Sequence, residues 1–336
     1  MELLDLGTRE QQEKDFRDVF SFDDLFCEYL VREPPSIGIR APHLYPSSAS
    51  VRLVRPGIEG GKVLGGCHRA QWYRIKDYRK TNPISKSGLM SASVGNALER
   101  LVIEQVKKSG EFVSTQEPVF IKDLMVSGKL DIVGYRHPTN TDILPYFYII
   151  EVKSFYGYYA TKEIMGCWSG ARGNKVYNFG TPKPQHVLQA ALYSYVLKDR
   201  CIGTKLFYIA RDGANTQEFA VLCKPVVENG EEIHRIEIAG GGRKTPYLIK
   251  DFTIEEMLRR FGTLQEHLTK EEPPDREFYK KYPVDLIKPY YENGYISKTD
   301  FEAWDKKKSG KENHSMGDFE CSYCSYKNGC WEDRWE

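Results

Sequence analysis

Residues 128–157 read GKLDIVGYRHPTNTDILPYFYIIEVKSFYG. The run from Tyr146 to Phe155 is dense in aromatic and β-branched residues, which fit a pleated, half-buried surface, so a strand is expected there. Side chains alternate along a strand, which puts Glu151 and Lys153 on one face and Val152 on the other. Charges at the end of so apolar a run are costly to bury without a partner or a task. If Asp131, behind Gly128-Lys129-Leu130, ends a neighbouring strand, its carboxylate converges with that of Glu151. Two carboxylates and the Val152 carbonyl make an oxygen set for a hard cation such as magnesium or manganese. Lys153, while charged, is no ligand; it can orient an attacking water or stabilise charge developing on a phosphate. Those are the parts of a phosphodiester hydrolase. Taken alone, Glu-x-Lys also describes a solvated cross-strand ion pair, so the rest of the chain has to choose.

Working outward, residues 89–108 place Val94, Leu98, Leu101, Val102 and Val106 at helical spacing. EFVSTQEPVFI and LMVSGKLDIVGYR read as an antiparallel strand pair feeding the acidic strand. HVLQAALYSYVLKD is a second helix, CIGTKLFYIAR and TQEFAVLC are further strands, and residues 252–270 are helical. The order helix, strands, helix, strands indicates an α/β protein with a central mixed sheet flanked by helices. Residues 10–32 suggest one or two amphipathic helices, residues 33–66 read as Pro-, Ser- and Gly-rich loop with at most a short strand or helix, and the tail reads as polar and turn-rich up to its cysteines. The expected division is a helical and loop segment over 1–84, a core over 85–265 and a C-terminal segment over 266–336. Residues 155–184 form a connection too long to be an idle turn.

The chain has 336 residues, 40% of them hydrophobic, enough for a sizeable core. Lys and Arg number 48 against 47 Asp and Glu, so any nucleic-acid contact has to come from a local patch and not from the overall field. No stretch approaches the roughly 20 apolar residues of a membrane span, and the first twenty residues are too charged for a signal peptide. A cytoplasmic protein, bacterial or from a virus-infected cell, is the expectation. In a reducing compartment eight cysteines are thiols or metal ligands sooner than a disulfide framework.

The ordered set Gly128-Lys129-Leu130-Asp131, Glu151-Val152-Lys153 and Gln189-Ala190-Ala191-Leu192-Tyr193 resembles the motifs of the PD-(D/E)XK nuclease superfamily, in particular its RecB-like branch. The resemblance implies a nuclease core in which Asp131, Glu151 and Lys153 are catalytic and Asp131, Glu151 and the Val152 carbonyl hold one or two magnesium or manganese ions. It also implies that Gln189 and Tyr193, four apart on one helical face, organise the site and contact DNA. The branch carries G-x-x-x-H on the preceding helix. Here Gly95-Asn96-Ala97-Leu98-Glu99 occupies that place with glutamate for histidine, which makes Glu99 the corresponding ligand. His186, one turn before Gln189, is a lesser candidate.

The tail contains Cys321, Cys324 and Cys330 in the spacing C-x2-C-x5-C, and three close cysteines need a fourth ligand. Cys67, in a turn before a helix, is the best candidate. Cys27, Cys201 and Cys223 lie in apolar runs and read as buried thiols; Cys167 is undecided. One cysteine before the nuclease motifs and three after them resembles the iron-sulfur staple of AddB-type and Dna2-type nuclease domains and of the CRISPR-associated fourth-protein family. By that resemblance Cys67, Cys321, Cys324 and Cys330 hold a 4Fe-4S cluster that joins the N- and C-terminal segments, with zinc, and His314 or His68 as a ligand, as the alternative. Closing a loop of roughly 250 residues is a structural task that needs no redox change.

Lys162, Arg172, Lys175 and Lys183 interleave with Tyr156, Tyr158, Tyr159, Trp168, Tyr177 and Phe179 in the long connection, a combination that suits single-stranded nucleic acid. Arg69, Arg74, Lys76, Arg79 and Lys80 form a second basic run. The expected function is thus a metal-dependent deoxyribonuclease, an exonuclease on single strands or DNA ends in recombination, repair or processing, working alone or beside a separate helicase, since no phosphate-binding GxxxxGK[ST] loop is present. The alternatives are a DNA-binding or assembly protein without turnover and a duplex-specific endonuclease.

Overall fold

The computed structural model describes residues 43–109, 112–136, 146–169, 175–213, 215–307 and 310–333. The helices expected over 10–32, Cys27 and Arg172 lie outside the described residues. The chain opens with strands β1 (Ser50–Arg55) and β2 (Ile58–Gly65), then helices α1 (His68–Ile75) and α2 (Lys86–Ser109). Strands β3 (Phe112–Ile121), β4 (Val126–Arg136) and β5 (Tyr146–Phe155) follow, then helix α3 (Tyr158–Met165), short strands β6 (Cys167–Ser169) and β7 (Val176–Asn178), and helix α4 (Pro184–Val196). Strands β8 (Cys201–Ala210), β9 (Thr216–Glu228), β10 (Glu231–Gly240) and β11 (Tyr247–Ile249) precede helices α5 (Ile254–Lys270), α6 (Val284–Glu292), α7 (Lys298–Asp305), α8 (Phe319–Ser322) and α9 (Lys327–Glu332).

Seven strands form one mixed sheet in the order β11-β10-β9-β8-β5-β4-β3. Among the described strands of this sheet only β5 and β8 pair in parallel, because the segment between them, which includes α3, β6, β7 and α4, returns the chain to the same end. Helix α4 is apolar nearly all round, with Val187, Leu188, Ala190, Ala191, Leu192 and Tyr193 buried, as a helix between other layers must be. It packs against β8 and β9, while α2 lies against β3, β4 and β5. The acidic strand is thereby covered on both faces. Ile149 joins Tyr193 of α4 in one cluster, and Val152 joins Ile103 of α2 in another.

Two expectations are corrected. The loop expected over 33–66 contains, in its described part, a hairpin with strands of six and eight residues. Its turn, Pro56-Gly57, lies between the paired Arg55 and Ile58, and Gly57 has φ +71°, the conformation that the third position of a Pro-Gly turn demands. The tail is not merely turn-rich: Ile287, Tyr290 and Trp304 from α6 and α7 build a core of their own with Ile58 and Tyr282. Tyrosine and tryptophan supply most of that buried area, and their polar tips disguise it in a hydropathy reading. The long connection, too, carries α3 and the β6–β7 hairpin within its described part.

Candidate active site and cysteine cluster

The pairing of β4 with β5 extends from Arg136 opposite Tyr146 to Ile132 opposite Ile150 and goes no further. At the next position the strands part. The amide of Val152, left without a ladder partner on that side, donates to Asp131 Oδ2 at 2.9 Å. A side-chain carboxylate has replaced a backbone carbonyl. The N–H and C=O of one strand residue face the same neighbour, so the Val152 carbonyl faces this gap as well.

The departure is built into β4 and β3. Leu130 packs in the cluster on the α4 side and Ile132 in the cluster on the α2 side, although positions two apart normally share a face. The backbone therefore turns over at Asp131. Opposite it, Gln116 adopts φ +54°, rare for a residue with a side chain, and its Nε2 donates to Glu99 Oε1 at 2.9 Å. Gly128 allows the close approach behind the gap, since a Cβ there would lie 2.8 Å from Pro46 Cγ and 2.9 Å from the Tyr193 hydroxyl.

Glu151 is 2% exposed. Its Oε1 accepts from Lys153 Nζ at 2.5 Å and from Gln189 Nε2 at 2.7 Å. Its Oε2 is buried with no hydrogen-bond partner among the described residues. Burial, then the charge of Glu151, raises the Asp131 carboxyl well above its usual range; burial and Glu151 likewise raise Glu99. Burial opposes the Lys153 ammonium, but the carboxylates of Glu151 and Asp131 outweigh it and hold the amine protonated. Three acids crowd one lysine, and one buried oxygen is left over. That imbalance is what a hard cation relieves, and the donor set of carboxylates and a backbone carbonyl suits magnesium or manganese. As they lie, no three His, Cys, Asp or Glu side chains among the described residues form a group that could hold a metal ion.

Gln189 and Tyr193 are 7% and 2% exposed. Gln189 donates to Glu151, and the Tyr193 hydroxyl donates to the Lys129 carbonyl at 3.2 Å. Through these bonds Gln189 and Tyr193, both expected from the resemblance to organise the site and contact DNA, brace the two acidic strands from behind. His186 shares a 2.9 Å hydrogen bond with the Tyr208 hydroxyl, and burial, then the positive charges of Lys153 and Lys183, lowers its pKa to about 3. Sequence reasoning missed Gln116 altogether, because a left-handed non-glycine residue inside a strand leaves no pattern in the letters.

The four cysteines named from the sequence converge. Cys67, Cys321, Cys324 and Cys330 line one cavity between α1, α8 and α9, together with Tyr73 and Trp331. All four are free thiols. The Tyr326 amide donates to Cys324 Sγ at 3.4 Å. Burial, then the charge of Asp318 and after it the neighbouring cysteines, raises Cys321 to about 12, and burial is also the first cause at Cys67 and Cys324. The four sulfurs line one cavity without closing into a metal-binding group as they lie; a thiolate-bound metal or cluster would draw on this donor type and remove the protons that burial otherwise retains. Neither His68 nor His314 lines the cavity; His68 Nε2 lies 3.1 Å from Ser50 Oγ. Cys201 is buried, while Cys167 and Cys223 are half-buried.

Within the second basic run, three of the five cations are already engaged by groups of this chain. Arg69 donates to the Pro274 carbonyl, Arg74 to the His43 carbonyl and Lys76 to Glu271, leaving Arg79 and Lys80 exposed. No helix among the described residues is long and apolar enough to cross a membrane.

No family model, no curated protein and no solved structure matches this chain. The geometry of the parted strands is therefore what a functional reading has to rest on.

Proposed function

We propose that this chain is a metal-dependent deoxyribonuclease of the PD-(D/E)XK, RecB-like type, acting as an exonuclease on single strands or DNA ends. The observation that carries the reading is the gap between β4 and β5, where Asp131, the Val152 backbone and Glu151 face one another with Glu151 Oε2 unpartnered. Asp131, Glu151 and the Val152 carbonyl would hold magnesium or manganese, with Glu99 reaching in from α2. When bound, the ion supplies charge neutralisation at the phosphate and a lowered pKa for water.

The chain's own residues do the rest. Lys153, kept protonated by its acids and bonded to Glu151, would use its remaining N–H donors beside the gap to orient an attacking water and to stabilise the negative charge that grows on the phosphate oxygens. Gln189 fixes the Glu151 rotamer by occupying Oε1, which leaves Oε2 as the free ligand oxygen. Tyr193 ties α4 to the turn before Asp131 through the Lys129 carbonyl. The four-cysteine cavity would hold a 4Fe-4S cluster, or zinc, as a staple joining α1 to α8 and α9.

The test is degradation of labelled single-stranded, linear duplex and closed circular DNA with magnesium or manganese, by wild type and Lys153→Ala. The reading expects linear substrates to be shortened by wild type alone. Failure to degrade any of them overturns the enzyme reading, and cleavage of closed circles overturns the exonuclease part of it.

A further inference from the structure

Beyond the end of β5 the surface changes character. Tyr156, Tyr158 and Tyr159 follow Phe155 directly, and Tyr159 is 85% exposed. On the neighbouring hairpin Trp168 is 65% exposed. Such rings are normally buried for the area they remove from water, and a cluster of them left in solvent marks a binding surface.

The tertiary fold adds cations from distant parts of the chain. Arg211, at the end of β8, places its guanidinium 5.4 Å from the Tyr156 ring, and Arg243, between β10 and β11, lies 5.1 Å from Phe179 and 4.8 Å from Tyr247. Lys162 stands 4.1 Å over Tyr158. Backbone hydrogen bonds tie the arrangement together. Gly180 N–H donates to the Gly241 carbonyl, Thr181 N–H to the Glu163 carbonyl and Arg211 N–H to the Phe155 carbonyl, which join α3, the hairpin and the β10–β11 turn into one surface. Of the nearby acids, Asp212 is occupied by the Gly157 amide, and Glu163 is exposed.

Tyr158 and Phe179 already have cations over their rings, whereas no cation is recorded over Tyr159 or Trp168 among the described residues. We infer that this surface is a separate nucleic-acid site at which Trp168 and Tyr159 stack on unpaired bases while Lys162 and Arg243 meet the phosphates between them. Every base has a π face, so such a platform takes strands of any sequence, but a duplex, whose bases are stacked on one another, cannot use it. Tyr156 lies three residues past Lys153, about 10 Å along an extended strand, so a strand held here passes the acidic gap. The inference rests on the nuclease reading only for what happens to that strand next.

The experiment measures binding of fluorescein-labelled oligo-thymidine and of a duplex of equal length by anisotropy, with calcium in place of magnesium, for wild type, Trp168→Ala, Tyr159→Ala and Trp168→Phe. Each alanine variant is expected to bind oligo-thymidine about tenfold more weakly, with duplex affinity within about twofold of wild type and Trp168→Phe close to wild type. Oligo-thymidine affinity that stays within about twofold in both alanine variants, or duplex affinity that falls in parallel, overturns the proposal. Hydrolysis of bis(p-nitrophenyl) phosphate with manganese, a substrate too small to reach the platform, reports the acidic gap alone. A wild type that binds oligo-thymidine through Trp168 but hydrolyses nothing supports the platform and overturns the nuclease reading; one that hydrolyses the small substrate but binds oligo-thymidine without Trp168 does the reverse.

Discussion

Two lysine–carboxylate pairs in this protein look alike in a table of contacts and differ in every surrounding atom. Lys62 pairs with Asp318, both 5% exposed. Asp318 Oδ1 also accepts from the Tyr282 hydroxyl at 3.0 Å, and Oδ2 from the Tyr279 amide at 2.8 Å. The ammonium sits 4.9–5.9 Å from the rings of Phe278, Tyr282, Tyr290 and Tyr295. Every oxygen is used and the cation is enclosed. Lys153 and Glu151 form the other pair, where one carboxylate oxygen has two donors and the other has none. A saturated pair is a lock and has nothing left to offer a ligand. An unsaturated buried pair is costly by itself, and that cost points to a missing partner.

The largest effect is expected from breaking the saturated pair. Asp318→Ala leaves the Lys62 charge buried without a counter-ion, which costs about 3–5 kcal/mol. Asp318 also directly precedes α8, which carries Cys321. Denaturant unfolding should show the loss, and retention of full stability would mean that the pair holds nothing together. Lys153→Ala should do the opposite, lowering DNA cleavage on the order of a hundredfold to a thousandfold while moving the unfolding midpoint far less than Asp318→Ala does. If the two variants lose stability equally, the distinction between lock and site fails.

Asp131→Asn sharpens the comparison further. A carboxyl whose pKa is raised on folding destabilises the native state as pH climbs through and above its ordinary range, because the unfolded chain releases that proton first. Without divalent metal, the wild type should therefore lose stability between the ordinary carboxylate range and neutral pH more steeply than Asp131→Asn, as followed by thermal melts. Cleavage should vanish in the same variant. The smallest effect concerns His186, lowered to about 3 by burial and then by Lys153 and Lys183. A base with a lowered pKa takes up its proton in the unfolded chain first, so its share of stability is complete above about 6.5 and is lost as pH falls toward about 3. His186→Gln should flatten the acid limb of the stability curve slightly; an unchanged limb would show that the imidazole is not held neutral.

Much of the core was legible in the letters, for identifiable reasons. Tyr146–Phe155 is apolar enough, and β-branched enough, to be a strand wherever it packs, and α2 and α4 follow from the spacing of their apolar residues. The β1–β2 hairpin was missed although Arg55-Pro56-Gly57-Ile58 carried its turn, because the flanking glycines and prolines outweighed it. In the tail, the tyrosines that form the packed layer behind Asp318 read as polar. Arg69, Arg74 and Lys76 read as a basic patch, and no pattern in one dimension reveals that carbonyls and a carboxylate wait for them 31 to 205 positions away.

By itself the sequence singled out candidate residues: Asp131, Glu151 and Lys153 at the ends of apolar runs, and the cysteines Cys67, Cys321, Cys324 and Cys330. Local chemistry and short-range periodicity are properties of the chain alone. Only the tertiary structure decided how those residues are placed. The parting of β4 from β5, the left-handed Gln116, the orphaned oxygen of Glu151 and the arginines carried to the aromatic surface each depend on contacts between segments far apart in the chain, and the energies of those contacts are settled when the sheet and its two covering helices pack together.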